Sequence, residues 1–177
     1  MKFTKEDARK RVLNCAKQYQ QNLLHKKLLI IFRERQDNSI RFIESRFHER
    51  NYQHLTGLEL TNTEGKILQH QSKNFYRKCI ENKLGLNDVD KVMGGVNFCL
   101  GLSRENDVFV PSSALLEDIK KLTSSPSQVL AIFEKDIDSE LYSTVKHVAK
   151  GLNLHHLILP PEISSKISLE HYVYRGK

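Results

Sequence analysis

Between Arg46 and Gly57 the chain reads Arg-Phe-His-Glu-Arg-Asn-Tyr-Gln-His-Leu-Thr-Gly, its densest run of side chains able to move a proton or hold an anion. Residues 52–60 read as a strand. Alternate residues of a strand share a face, so Tyr52, His54 and Thr56 would look one way and Gln53, Leu55 and Gly57 the other. Imidazole titrates near neutral pH and can serve as acid or base. A hydroxyl two residues along the same face adds a hydrogen-bond donor. That pairing suits phosphodiester cleavage without a metal. The chemistry needs a base for the ribose 2′-OH, an acid for the leaving 5′-oxygen, and fixed cations or donors for the charge on the phosphorane. The same pattern equally describes a half-buried strand whose His54 and Thr56 only hydrogen-bond their neighbours. Arg46 and Arg50 flank the strand as candidates for steering phosphate, and plain surface charge is the other reading of both.

Other chemistries lack their residues. There is no Gly-rich phosphate loop, no dinucleotide fingerprint and no Gly-x-Ser-x-Gly elbow. Cys-x-x-Cys and His-Glu-x-x-His are missing too, and His155-His156 would point to opposite sides of a strand. The expectation is therefore no cofactor and no metal. Cys15, Cys79 and Cys99 are odd in number and scattered, which reads as buried thiols in a reducing compartment.

The charge is localised. The 177 residues carry a formal net charge of +7. Residues 1–50 hold thirteen Lys or Arg against six Asp or Glu, while the remainder balances at fifteen of each. The basic excess lies wholly in the N-terminal third, which points to a polyanionic partner, with a merely soluble basic protein as the alternative. No apolar run approaches the roughly 20 residues of a membrane span. The start is charged at once and shows no signal-peptide core, so a cytoplasmic protein without a membrane partner is expected.

The positioning elements follow from periodicity. Apolar residues Ala8, Val12, Cys15, Ala16, Tyr19 and Leu23 step by three and four, predicting a helix over 4–26 capped by Thr4. Leu28–Phe32 and Ser39–Phe47 around Gln36-Asp37-Asn38 predict a hairpin. Ser72 opens a helix through Lys83. Val96–Leu102 and Val108–Val110 suggest a second hairpin that Pro111 would stop. Ser112 or Ser113 would cap a helix with Leu115, Ile119 and Leu122 on its buried side. Gln128–Phe133 reads as a strand, and Leu141, Val145 and Val148 as a helix stopped by Gly151. His155–Leu159 reads as an edge strand. Strands and helices mix without steady alternation, and tight turns join several strands. The fold class expected is α+β, with an N-terminal helix and a mainly antiparallel sheet carrying packed helices. One domain over 1–177 is expected: helix 4–26, sheet and helices 28–150, and a C-terminal extension 151–177.

His54-Leu55-Thr56-Gly57 is the sharpest of several motifs that occur here in a familiar order. It is followed by Phe75-Tyr76-Arg77-Lys78-Cys79, then Cys99-Leu100-Gly101-Leu102 with Val110-Pro111, then Leu115-Leu116-x-Asp118-Ile119-x-x-Leu122. Leu130-Ala131-Ile132-Phe133-Glu134-Lys135 and Glu140-Leu141-Tyr142 complete the series. From about residue 5 to about residue 150 the chain resembles the fourth group of the phage barnase–EndoU–colicin–RelE-like (BECR) nuclease domains. The resemblance implies an RNase-like architecture with N-terminal helices before a four-stranded antiparallel sheet. It implies metal-independent endoribonuclease activity through a 2′,3′-cyclic phosphate, in a phage or prophage toxin or defence component. It implies His54 as acid/base, Thr56 as a donor to phosphate and Lys135 as the cation on the phosphorane. Tyr76 would stack on a base, although a core role in its helix is the other reading. Ser113, where the family has Pro-Asn-Thr against Pro111-Ser112-Ser113, would touch substrate, or would simply cap a helix. RNA is the partner implied, with an antitoxin or inhibitor beside it. The short Asp88–Val96 segment departs from the family and favours an inactive RNA-binding relative. A phage-encoded protein-interaction factor is the third reading.

Overall fold

Thr4 and Asp7 start the first helix by capping each other. The Asp7 N–H donates to Thr4 Oγ1 (3.2 Å) and the Thr4 N–H to Asp7 Oδ2 (3.0 Å), a reciprocal capping box. Helix α1 runs Lys5–Asn22 and buries Ala8, Val12, Leu13, Ala16 and Tyr19. It ends short of the 4–26 reading. The N–H groups of Leu23 and Leu24 both turn back to the Tyr19 carbonyl, and His25 adopts a left-handed φ of 64°. The buried stripe is centred on Val12, Ala16 and Tyr19. Cys15 lies on its flank and is exposed, and Cys99 is only partly covered. Of the three thiols read as buried, Cys79 alone is.

The structure, a computed structural model, describes residues 4–56, 72–83, 99–115, 119, 124, 126–168 and 173–174. After α1 come β1 (Lys26–Arg33), β2 (Ile40–Arg46), α2 (Asn51–Thr56), α3 (Ser72–Ile80), β3 (Cys99–Glu105), β4 (Val108–Leu115), β5 (Gln128–Asp136) and β6 (Thr144–Val148). A 3-10 turn at Leu154–His156, the one-turn α4 (Pro161–Ser164) and β7 (Val173–Tyr174) complete them. This is the expected α+β mixture of antiparallel sheet and packed helices. No helix among the described residues is long and apolar enough to cross a membrane.

These elements form two compact units interleaved along the chain. The first takes the described residues within 1–24, 47–103 and 110–118. Its centre is aromatic: Tyr19 meets Tyr52 with centroids 5.1 Å apart, and Tyr52 meets Tyr76 at 5.8 Å and Phe75 at 6.2 Å. Tilted and edge-on rings of this kind add stabilisation beyond their buried area.

The second unit takes 25–46, 104–109 and the described residues of 119–177. Its strands β2, β1, β5 and β6 are neighbours in that order and all antiparallel. Single short parallel contacts extend this sheet at Phe109 beside β2 and at β7 beside β6. Leu29, Ile31, Ala131, Phe133, Tyr142 and Val145 make its core, and the 151–168 segment covers them with Leu154, Ile163 and Ile167.

Several element expectations are corrected. Residues 144–148 form strand β6, not a helix. Thr144, Val145 and Val148 are β-branched, Val145 is buried, and Leu141, the supposed helical partner, is 43% exposed. Gly151 serves a turn after β6 with φ 80°, a conformation suited to glycine. His155–Leu159 is no strand, because Asn153 Oδ1 accepts the His155 N–H (3.0 Å) and starts the 3-10 turn. Pro111 does not stop β4. The only described strand contact of β4 to β2 is at Phe109, so beyond it a missing N–H costs nothing on that side. Ser112 and Ser113 therefore lie within β4 rather than at a helix start, and most of the helix expected over 115–122 lies outside the described residues. So do Gly57–Leu60 of the expected third strand, Val96–Phe98 and the irregular stretch read at 87–95.

Candidate functional site

The largest correction concerns His54. Residues 51–56 form helix α2 rather than a strand. The turn before it is held from both sides. Asn51 Oδ1 accepts the His48 N–H (2.8 Å), and the His48 carbonyl accepts the Asn51 N–H (2.9 Å) and the Tyr19 hydroxyl (2.8 Å). The Tyr52 hydroxyl then donates to the Val12 carbonyl (2.5 Å), fastening α2 to α1. Tyr52 and Leu55 sit three residues apart, which sets them on one side of a helix, whereas a strand would turn them to opposite faces.

On a helix, residues two apart are separated by about 200° of arc, so His54 and Thr56 do not share a face. Thr56 Oγ1 donates to the Gln53 carbonyl (2.7 Å), and Thr56 lines a groove of about 490 Å³ with Arg11, Val12, Cys15, Tyr19 and Leu55. His54 is not part of that lining. Its side chain is exposed and makes no hydrogen bond or ion pair with the described residues. Arg50 is exposed in the preceding turn.

Asn51 positions α2 and was not singled out by sequence. It is 4% exposed, and its Nδ2 donates to the Pro111 carbonyl (2.7 Å). Asn51→Ala leaves the His48 N–H without its side-chain acceptor and the Pro111 carbonyl without its donor. The expected cost is about 1–3 kcal/mol, read from urea unfolding. A loss within about 0.5 kcal/mol, the usual size for surface changes, would show that these bonds are not needed.

Tyr76 is 3% exposed and its ring packs on Tyr19 and Tyr52, which leaves no open face for stacking a base. Its buried hydroxyl has no hydrogen-bond partner among the described residues. Burial, with the Glu49 carboxylate nearby, pushes that phenol up from its ordinary pKa. Ser113 lies in β4 of the first unit.

Arg46 and Lys135 belong to the second unit. Lys27 on β1 pairs with Arg46 on β2 and with Lys135 on β5. Directly paired residues face the same side of a sheet, so the three cations stand abreast. Lys135 Nζ lies 4.7 Å from the Tyr142 ring centroid and donates to the Glu140 carbonyl (2.7 Å). Burial, then the Lys27 charge, lowers its pKa. Two residues along the same face, Glu44 accepts the Tyr142 hydroxyl (2.9 Å) and pairs with Lys166 (3.1 Å).

Sequence reasoning missed Lys27, Glu44, Tyr142 and Lys166. Counting outward from the Asp37 turn would have placed Lys27 opposite Arg46. Only the fold brings Tyr142 and Lys166 to Glu44. Among the described residues no group of three His, Cys, Asp or Glu side chains gathers to hold a metal.

Residues 11–95 match the family model described as phage-Barnase-EndoU-ColicinE5/D-RelE like nuclease4. The matched segment runs from within α1 through β1, β2, α2 and α3, and includes His54. It supports a relationship to that nuclease family. No curated protein matches the chain. No solved structure matches it.

Proposed function

We propose that this chain is an endoribonuclease-like protein that binds RNA and cleaves it by side-chain acid/base chemistry, without a metal, through a 2′,3′-cyclic phosphate. The observation that carries the reading is the family match over residues 11–95, which spans most of the basic third of the chain and His54. The four consecutive antiparallel strands of the second unit agree with an RNase-like BECR architecture. His54 is the acid/base group, exposed and unpartnered among the described residues. Lys135 supplies charge to the phosphorane, and Arg46 and Arg50 guide phosphate. Thr56, Tyr76 and Ser113 are lesser candidates for substrate contact, because Thr56 already donates to Gln53 and the Tyr76 ring is buried. A phage or prophage toxin or defence role in the cytoplasm, with an antitoxin or inhibitor as partner, follows from the same reading.

The test is incubation of the folded protein with mixed RNA in excess EDTA. Expected are fragments ending in 2′,3′-cyclic phosphate. Intact RNA in the presence of folded protein sinks the cleavage reading. A second reading then stands, an RNA-binding relative that does not cut, favoured by the opposed faces of His54 and Thr56 on α2. It requires binding that weakens steeply with salt.

A further inference from the structure

The two faces of the second unit's sheet treat their cations differently. On one face Lys26 pairs with Glu134 (3.1 Å) and Asp136 (3.3 Å), and Lys146 pairs with Glu134 (3.2 Å). Two cations there meet two carboxylates. One residue along β1 the side chains switch faces. Lys27, Arg46 and Lys135 stand side by side, and Lys166 approaches the same face through Glu44. Among the described residues only Glu44, already paired with Lys166, and the more distant Glu140 carboxylate offset these four cations. Lys27 and Arg46 make no ion pair or side-chain hydrogen bond among the described residues, although both are partly buried.

Like charges placed directly opposite one another destabilise a sheet. Lys135 is tied into the packing by the Tyr142 ring and the Glu140 carbonyl, but Lys27 and Arg46 stand beside an apolar core, where Leu29 and Phe133 occupy the next row with Glu44. An anion laid across the row removes the repulsion and recovers charge-assisted hydrogen bonds. The row crosses three strands, about 9.6 Å at ordinary strand spacing, long enough for successive phosphodiesters of a single strand. Arg46 offers a planar fork for paired phosphate oxygens, while Lys27 and Lys135 act as point charges.

We propose that Lys27, Arg46 and Lys135 form one phosphodiester-binding row for single-stranded RNA, with Lys27 as its central substrate-binding residue. Glu44 and Tyr142 are positioning residues that fix the ends of Lys166 and Lys135. The proposal rests on the RNA reading above and adds to it a contact surface and a residue that reading did not contain.

Adjacent residues on opposite faces supply the test. Lys27→Gln and Lys26→Gln remove the same charge one position apart, and thermal unfolding of both checks that they fold. Affinity for a single-stranded oligoribonucleotide and for inorganic polyphosphate is measured across a salt series. Removing one phosphate-binding cation should reduce the slope of log affinity against log salt by about 0.7. Lys27→Gln is expected to weaken RNA binding several-fold and show this reduction, while Lys26→Gln keeps the wild-type slope. Equal slopes for the two variants overturn the row even where the wild type binds RNA. Lys27-dependent binding of polyphosphate by a protein that ignores RNA keeps the anion row and removes the RNA reading. Binding of neither ligand removes both.

Discussion

His54→Ala is expected to lower the rate of RNA cleavage in EDTA by about a hundredfold or more, the loss that accompanies removal of a general acid or base. The fold should not notice. His54 is exposed in the last turn of α2 and makes no contact that another described residue needs, and Ala is the better helix former. The loss should therefore appear in kcat with RNA affinity and unfolding midpoint close to wild type, because proton transfer belongs to the transition state rather than to binding. Arg50→Gln on the same segment should do the opposite, raising KM and leaving kcat nearly unchanged if it only guides phosphate. Single-turnover cleavage with saturating RNA separates the two. A His54→Ala protein that cuts at the wild-type rate shows that the acid/base group lies elsewhere. A simple loss of binding in that variant would make His54 a contact residue instead.

Such a result would bear on what the sequence could disclose. The first hairpin was legible because its turn, Gln36-Asp37-Asn38, is unambiguous and Asn38 adopts the left-handed φ of 58° that asparagine tolerates. The Thr4 cap was legible for the same reason: its chemistry is local. Two elements were misread where local patterns carry two periods at once. Tyr52, His54 and Thr56 alternate, but Tyr52 and Leu55 also suit a helix, and the deciding contacts come from Tyr19, Val12 and Pro111, all distant in sequence. Leu141, Val145 and Val148 fit a helix stripe by spacing alone, and pairing with β5 makes Val145 and Val148 part of a strand instead. The candidate site divides along the same line. Arg46 and Lys135 could be named from composition and resemblance. That Lys27 stands between them is a property of register, readable only once β5 is known to lie on the other side of β1 from β2.

Tyr142 is the residue on which the second unit should depend most. Its side chain is fully buried, the Lys135 ammonium sits over its ring, and its backbone N–H and C=O bond to the Lys166 carbonyl (2.8 Å) and the Ser168 N–H (2.9 Å). Tyr142→Ala empties an aromatic site in the core and is expected to cost about 3–5 kcal/mol. Tyr142→Phe keeps the ring and removes only the donor to Glu44, so about 1.5–3 kcal/mol is expected at neutral pH, the range for a hydrogen bond to a charged group. That smaller loss should depend on pH. Burial pushes the Glu44 carboxyl up, but the Tyr142 hydroxyl, the Lys166 ammonium and the Lys27 charge together bring it below the ordinary glutamate value of 4.5. A carboxyl lowered in the folded state contributes stability that is present above its unfolded pKa and is lost as pH falls through the folded one. Tyr142→Phe removes one lowering cause, so its folded value moves up and less of that contribution remains to be lost. The gap between wild type and Tyr142→Phe should therefore be widest near neutrality and narrow as the pH falls below 4.5 in urea titrations of both proteins. A gap that stays constant across that range would mean that the hydroxyl does not act through the Glu44 charge. Tyr142→Ala losing no more than Tyr142→Phe would remove the ring from the core.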